Sequence, residues 1–247
     1  MEYNTLNGRP GGRTKGHMTK TLQHIALIPD GNRRWARAHG LPILTGHAQV
    51  TDHVIPDLVR TCIQQEIPYF TVWAFSTENW GRDQAEVTGL MDLFAGLYDK
   101  FAARIAAQNV RVTFIGRRDN LSPALQDMIA RWTEDTKLHT GLTFTIALNY
   151  GGHDDILRAV NKIIAEKRLS EIGDRTLRDY LDTSVNDLPD PDLIIRPGGE
   201  KRLSGFMSWQ GAYSELYFSD KMMPDFGPDD LRAAIADFHD RQRRFGK

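Results

Sequence analysis

Six short apolar runs, separated for the most part by segments of helical period, constrain this chain more than any other feature. They are HIALI (24–28), YFTVWAF (69–75), VRVTFIG (110–116), LTFTIALNYGG (142–152), DLIIR (192–196) and SELYF (214–218). The first is closed by Pro29, Asp30, Gly31 and Asn32, which is turn chemistry. After Gly46 the apolar residues Val50, Val54, Leu58 and Cys62 recur at helical spacing, and Pro56 is expected to kink or restart that helix. Val87, Leu90, Met91, Phe94, Leu97, Tyr98 and Phe101 describe one amphipathic helix over 87–101. Ser122 and Pro123 pair an N-cap with a proline at the first helical position. Further helices are expected over 154–167 and from 228 to about 244. Strands alternating with helices of this length build a mostly parallel sheet covered on both faces. The expected class is α/β, a single domain with a central sheet of about six strands flanked by helices.

A chain of 247 residues, 40% apolar, has enough core-forming material for one such domain. Residues 1–20 carry four Lys/Arg, one Glu and four Gly, and read as a mobile polar tail before a domain over 21–247. Lys and Arg number 31 against 32 Asp and Glu, a formal charge of −1. Nothing global therefore pulls the chain toward nucleic acid or an anionic membrane, and any anion site must be local. One cysteine, Cys62, excludes an internal disulfide framework and a multi-Cys zinc site. It fits a reducing, cytoplasmic setting. No apolar run approaches the roughly 18–20 residues that span a bilayer. No basic amphipathic helix offers a stable membrane anchor. The polar, Gly-rich start is not expected to act as a secretory signal.

In open parallel sheets ligands bind outside the carboxyl ends of the strands. The first run is followed by Asp30, Gly31, Asn32, Arg33, Arg34 and Trp35, and the second by Ser76, Thr77, Glu78, Asn79, Trp80, Gly81 and Arg82. The fourth is followed by Asn149 to His153, and the fifth by Arg196, two glycines, Glu200, Lys201, Arg202, Leu203 and Ser204. Gly31 lets backbone N–H groups approach an anion, and Arg33, Arg34, Arg196 and Arg202 add planar charged donors. Two basic, Gly-bearing loops suggest two phosphate groups. Asp30 among so many cations makes sense if it holds a hard cation such as Mg²⁺ together with substrate phosphates. Taken one at a time these features have plainer readings. Asp30 alone would be an N-cap, Arg33 and Arg34 a solvated helix start, His47 a packing residue, and Trp35 and Trp80 rim packing. Their convergence on one sheet edge is what argues for a site. The chain has no G-x-x-x-x-G-K-[ST], no G-x-G-x-x-G after the first strand, no G-x-S-x-G and no H-E-x-x-H. The residues alone support an α/β enzyme that binds two phosphorylated groups with Mg²⁺.

The stretches HIALIPDGNRRWA, GH at 46–47, FSTENWGR, LNYGG, IIRPGGEKRLSGFMSWQGAYSELYF, PDF and DRQRRFG, in this order from about 23 to 246, resemble the cis-prenyltransferases, the undecaprenyl diphosphate synthase family. The resemblance implies a homodimeric, Mg²⁺-dependent enzyme that couples an allylic diphosphate to isopentenyl diphosphate and forms Z double bonds. It implies Asp30 as the metal-holding residue, and Gly31, Asn32, Arg33, Arg34, Trp35 and His47 around the allylic diphosphate. Asn79 would assist proton removal, with Ser76, Thr77, Glu78, Trp80 and Arg82 around it. Arg196, Arg202, Leu203 and Ser204 would bind isopentenyl diphosphate, and Glu215 would be a second metal-associated carboxylate. The helix 87–101 would wall an apolar tunnel beside the sheet, with room left by Ala74, Gly89, Ala95 and Gly96 and closure by Phe94, Tyr98, Phe101 or Phe144. The chain departs from the family pattern at Arg33 (usually Gly), Ile43 (usually Arg), Val50 (usually Gly), His153 (usually Arg) and Pro197 (usually Thr). Arg33 is expected to supply the charge that Ile43 lacks. Ordinary Z-elongation to a short or medium product is the leading expectation. Irregular coupling of dimethylallyl units and a non-catalytic subunit role stand as alternatives.

Overall fold

A computed structural model describes residues 21–166 and 171–241, and the tail expected over 1–20 lies outside them. The chain runs β1 (His24–Leu27), α1 (Asn32–Ala38), α2 (Ile43–Gln49), α3 (Ile55–Gln64), β2 (Tyr69–Ser76), α4 (Gln84–Ala95), α5 (Leu97–Ala107) and β3 (Arg111–Ile115). It continues through α6 (Pro123–Thr136), β4 (Thr143–Tyr150), α7 (Gly152–Glu166), α8 (Asp174–Tyr180), β5 (Leu193–Pro197), β6 (Glu215–Ser219) and α9 (Pro228–Asp240). All six strands are parallel, in the order β3-β4-β2-β1-β5-β6. The chain moves one way from β1 to β2 and returns to the other side of β1 with β5, so a switch point lies between β1 and β5.

Alternation along the strands sorts the core into two faces. Ile25, Leu27, Phe70, Val72, Val112, Phe114, Phe144, Leu148, Leu193 and Ile195 share one cluster with residues of α3, α4, α5, α6 and α9. Ala26, Ile115, Ala147 and Ile194 share the other with Tyr150, Phe206 and Met207. Covering both faces is what makes the strands read as nearly continuous apolar runs.

The helices differ from expectation where backbone chemistry intervenes. The restart expected at Pro56 appears as a π-helical turn, Val50–Val54, between α2 and α3. Proline has no N–H for the carbonyl one turn back, and the widened turn absorbs that mismatch upstream. The single helix expected over 87–101 is two, α4 and α5, jointed at Gly96, a poor helix former. Asp83 starts α4 by accepting from the N–H of Ala85 at 3.0 Å and of Glu86 at 3.3 Å. Ser122 caps α6 as its sequence suggests, accepting from Leu125 N–H at 3.4 Å. α8 fills a stretch where the sequence carries no clear helical signal.

Candidate active site

β1 and β5 deliver the centre of the site across the switch point. Asp30 follows β1, and its Oδ2 accepts from Arg196 Nη2 at 2.8 Å. Its Oδ1 accepts from Gly31 N–H at 2.6 Å and faces Arg34 Nη2 at 3.4 Å. Burial pushes the Asp30 carboxyl up, but the bonds from Arg196 and Gly31 and the charges of Arg196 and Arg34 outweigh it. The carboxyl is held below the usual carboxylate range, so it is ionised at neutral pH. Arg196 is itself almost wholly buried, and its Nη1 also donates to the Arg202 carbonyl and to Ser204 Oγ. The backbone makes this approach possible. Gly31 has φ of 95°, and a Cβ there would lie 2.9 Å from Met222 Cβ. Gly198 has φ of 102°, and a Cβ would lie 3.0 Å from the Asp30 carbonyl and from Arg34 Nη2. Arg34 Nη2 donates to the Gly198 carbonyl at 2.6 Å, closing the two loops on each other.

α2 brings His47 alongside α1. Gly46 lies so close that a Cβ would sit 2.2 Å from the Asn32 carbonyl oxygen. Asn32 Nδ2 donates to His47 Nδ1 at 3.2 Å, so the ring's proton is on Nε2. Burial, then the charges of Arg82 and Arg33, lower the His47 pKa to about 4, and the ring is neutral. Glu86, at the start of α4, is buried among these groups. It faces Arg82 Nη1 at 3.2 Å, Arg33 Nε at 3.4 Å and His47 Nε2 at 3.9 Å. Glu86 is not among the residues expected from the motifs, although its i,i+4 spacing from Arg82 signals it. Asn32 Oδ1, His47 Nε2 and Arg196 Nε are buried without a hydrogen-bond partner among the described residues. Buried polar atoms left in this state mark a place prepared for a polar ligand.

After β2 the chain enters a 3-10 turn, Thr77–Gly81. Ser76 N–H donates to Asn79 Oδ1 at 3.1 Å, one half of a reciprocal cap. With that oxygen committed, the Asn79 side chain offers a substrate its N–H pair.

Asp30, Asn32, His47, Ser76, Glu78, Asn79, Arg82, Arg196, Arg202 and Ser204 line the upper part of one cavity of about 470 Å³. The rest of its lining is mostly apolar, from the sheet at Val72, Ala74, Val112, Phe144 and Ile146 and from helices at Val50, Ile55, Val59, Phe94, Leu97, Phe101 and Ile105, with Thr51, Arg104 and Gln108 as polar exceptions. Other expected residues point elsewhere. Trp35 Nε1 donates to Asp225 at 2.8 Å and the ring lies 4.3 Å from His39. Leu203 packs on the core of the opposite sheet face. Thr77 Oγ1 donates to Glu78 Oε1 at 3.0 Å, and Trp80 Nε1 donates to Asn149 Oδ1 at 2.8 Å. Arg33 turns to Glu86. Gly89 leaves no room, because Leu44 already fills the space a Cβ would need. Glu215 begins β6 opposite Leu193, at the other end of the strands from Asp30, and pairs with Arg241 at 3.0 Å. The chain therefore does not bring Asp30 and Glu215 into one site, and no cluster of three or more metal-type ligands occurs among the described residues.

The model of the family described as putative undecaprenyl diphosphate synthase matches residues 28–246. An isoprenyl transferase of Aquifex aeolicus is 42% identical over 228 residues, covering 92% of this chain and 97% of that one. An isoprenyl transferase of Chromobacterium violaceum is 44% identical over 247 residues, covering 100% and 94%. The chain belongs to the undecaprenyl diphosphate synthase family. Solved structures carry the same relationship into three dimensions. A lavandulyl diphosphate synthase from Lavandula x intermedia, in complex with dimethylallyl diphosphate, superposes with a TM-score of 0.88 at 34% identity, covering 92% of this chain and 99% of that one. A probable undecaprenyl diphosphate synthase from Campylobacter jejuni gives 0.77 at 31% identity, covering 92% and 100%. Undecaprenyl diphosphate synthase relatives are prenyltransferases, so the resemblance carried by the motifs holds at the level of family and of fold.

Proposed function

We propose that this chain condenses an allylic diphosphate with isopentenyl diphosphate to give a short- or medium-chain Z-prenyl diphosphate. The observation that carries the reading is the two-part cavity, with cations and unpartnered donors at its mouth and apolar walls beneath. A prenyl diphosphate divides the same way, into an anionic head and a hydrocarbon tail. Asn32, His47 and Arg82 would receive the allylic diphosphate, and Arg196, Arg202 and Ser204 the isopentenyl one.

Asp30, ionised and flanked by Arg196, suits Mg²⁺ that is completed by substrate oxygens, since Mg²⁺ is usually held by one or two carboxylates plus phosphates. When bound, that ion would offset charge on the departing diphosphate. Within one protomer Glu215 is not part of the set. The protein's own work falls to its side chains. As the allylic carbon–oxygen bond breaks, negative charge grows on the diphosphate, where Arg82 and the His47 Nε2–H would stabilise it. The terminal methylene carbon of isopentenyl diphosphate then bonds to the carbon that lost its diphosphate. The apolar walls exclude water, which would otherwise trap the cation as an alcohol. A proton leaves the isopentenyl unit for a diphosphate oxygen. Asn79, offering N–H groups, orients that oxygen rather than taking the proton itself. The balance is one new carbon–carbon bond, one Z double bond and one released diphosphate.

The active form is read as a homodimer. β6 is an edge strand, and Leu157, Ile164 and Tyr213 are large exposed apolar residues. No helix among the described residues is long and apolar enough to cross a membrane. The likeness to lavandulyl diphosphate synthase favours one second reading, the irregular coupling of two dimethylallyl units. Release of inorganic diphosphate separates the readings. Ordinary elongation requires both substrates and Mg²⁺, whereas release from dimethylallyl diphosphate alone would overturn it.

A further inference from the structure

We propose that Asn149 is a positioning residue for this condensation, latching the turn Thr77–Gly81 to the end of β4 through the indole of Trp80. The inference rests on the reading of Asn79 as the residue that orients the proton acceptor.

Asn149 is 1% exposed and sits at φ of 52°, in the left-handed region that asparagine tolerates better than most side chains. That backbone bends β4 so that its side chain faces two loops at once. Its Oδ1 accepts from Trp80 Nε1 at 2.8 Å, and its Nδ2 donates to the Arg117 carbonyl at 3.3 Å. Arg117 N–H returns a bond to the Asn149 carbonyl at 3.1 Å, and the Arg117 guanidinium lies 3.1 Å from Asp154 on α7. The turn is thereby tied through Asn149 to a loop that is itself anchored.

The turn needs the tie. A five-residue 3-10 turn is a weak unit by itself, and it leaves β2 where the register with β4 is irregular. Trp80 is 37% exposed, so burial holds it only in part. Gly151, just past Asn149, shows the same close fit, since a Cβ there would lie 2.4 Å from Thr77 Oγ1. Asn79 lies between these contacts, one residue from Trp80. A small displacement of a positioned group is enough to slow a reaction that depends on alignment.

The test measures amide hydrogen exchange over 76–82 together with kcat and KM for elongation, in Trp80→Phe, Asn149→Gly, the double variant, Asn149→Asp and Asn79→Ala. Glycine fits the positive φ, phenylalanine removes the donor while keeping an aromatic ring to face Phe75, and aspartate keeps the acceptor. Both single latch variants should speed exchange over 76–82 and lower kcat by about five- to tenfold, the usual worth of one hydrogen bond, with little change in KM. The double variant should be no slower than the slower single, because both break the same bond between Trp80 and Asn149. Asn149→Asp should lie nearer the wild type. Unchanged exchange over 76–82 in Trp80→Phe overturns the latch, as do kcat losses that multiply in the double variant. Faster exchange combined with full kcat in Asn79→Ala overturns instead the reading of Asn79, and with it the latch's catalytic purpose.

Discussion

Asp30 owes its charge to Arg196, Gly31 and Arg34, since burial alone would push its proton affinity the other way. Asp30→Ala would remove the metal-holding carboxylate and leave Arg196 buried without its partner. Elongation is expected to fall by about a hundredfold or more, with some loss of melting temperature. Asp30→Asn should keep more of the stability but not the activity, and full activity in either variant would contradict the assignment. Histidine sets a second expectation at this scale. His24 is wholly buried, donating from Nδ1 to the Pro189 carbonyl at 2.7 Å and bonded through Nε2 to Thr71 Oγ1 at 2.8 Å. Burial lowers its pKa to about 4, as burial and two arginines do for His47. An unfolded chain takes up those protons near pH 6.5, so the stability they contribute is lost as pH falls from 6.5 toward 4. For His24 the full effect is about 3 kcal/mol. Asp155, raised to about 6 by burial and Asp182, opposes this, because its contribution fades as pH rises from 3.8 to about 6. Urea midpoints should fall between pH 7 and pH 4.5, and less steeply in His24→Gln. A flat profile would contradict the neutral buried rings.

Elements meet in this protein through glycines at particular contacts. Gly46→Ala would drive a methyl into the Asn32 carbonyl, pushing α2 off α1 and carrying His47 with it. A cost of about 1–3 kcal/mol is expected from denaturant unfolding. An increased KM for the allylic substrate should accompany it, and wild-type values for both would show that α2 yields freely. Much of the element plan is readable from the chain. Apolar runs set between stretches of helical period, Ser122 before Pro123 and the interruption at Pro56 are local signals that survive folding because nothing tertiary opposes them. The division of α4 from α5 at Gly96 is harder to read, because apolar spacing continues across the joint. Glu86 and Asn149 are harder still. Each looks ordinary along the sequence, as an acid near a helix start and an amide near a strand end. Glu86 matters only where α1, α2 and α4 converge, and Asn149 only where two loops share its side chain. Glu215 shows the reverse case. Its motif pairs it with Asp30, yet strand register holds the two at opposite ends of the sheet in the chain.

The whole molecule is organised by the reversal of strand order between β1 and β5, which brings Asp30 and Arg196 together although 166 residues separate them in the chain. That crevice opens onto a cavity also lined by α3 and α5, so one fold supplies a charged cluster and a mostly apolar interior. Assembly is expected at the other surface. Leu157 and Ile164 lie two turns apart on one face of α7, and burying them in a second copy should yield a dimer in sedimentation. Leu157→Glu combined with Ile164→Glu should shift that dimer toward monomer, and a monomeric wild type would contradict the reading. The most direct test of the account is product identification. The enzyme would be incubated with Mg²⁺, isopentenyl diphosphate and, in turn, dimethylallyl, geranyl and farnesyl diphosphate. Products should be lengthened in five-carbon steps, with every added double bond Z and a short or medium final chain. A branched product formed from dimethylallyl diphosphate alone, with no incorporation of isopentenyl diphosphate, would contradict it.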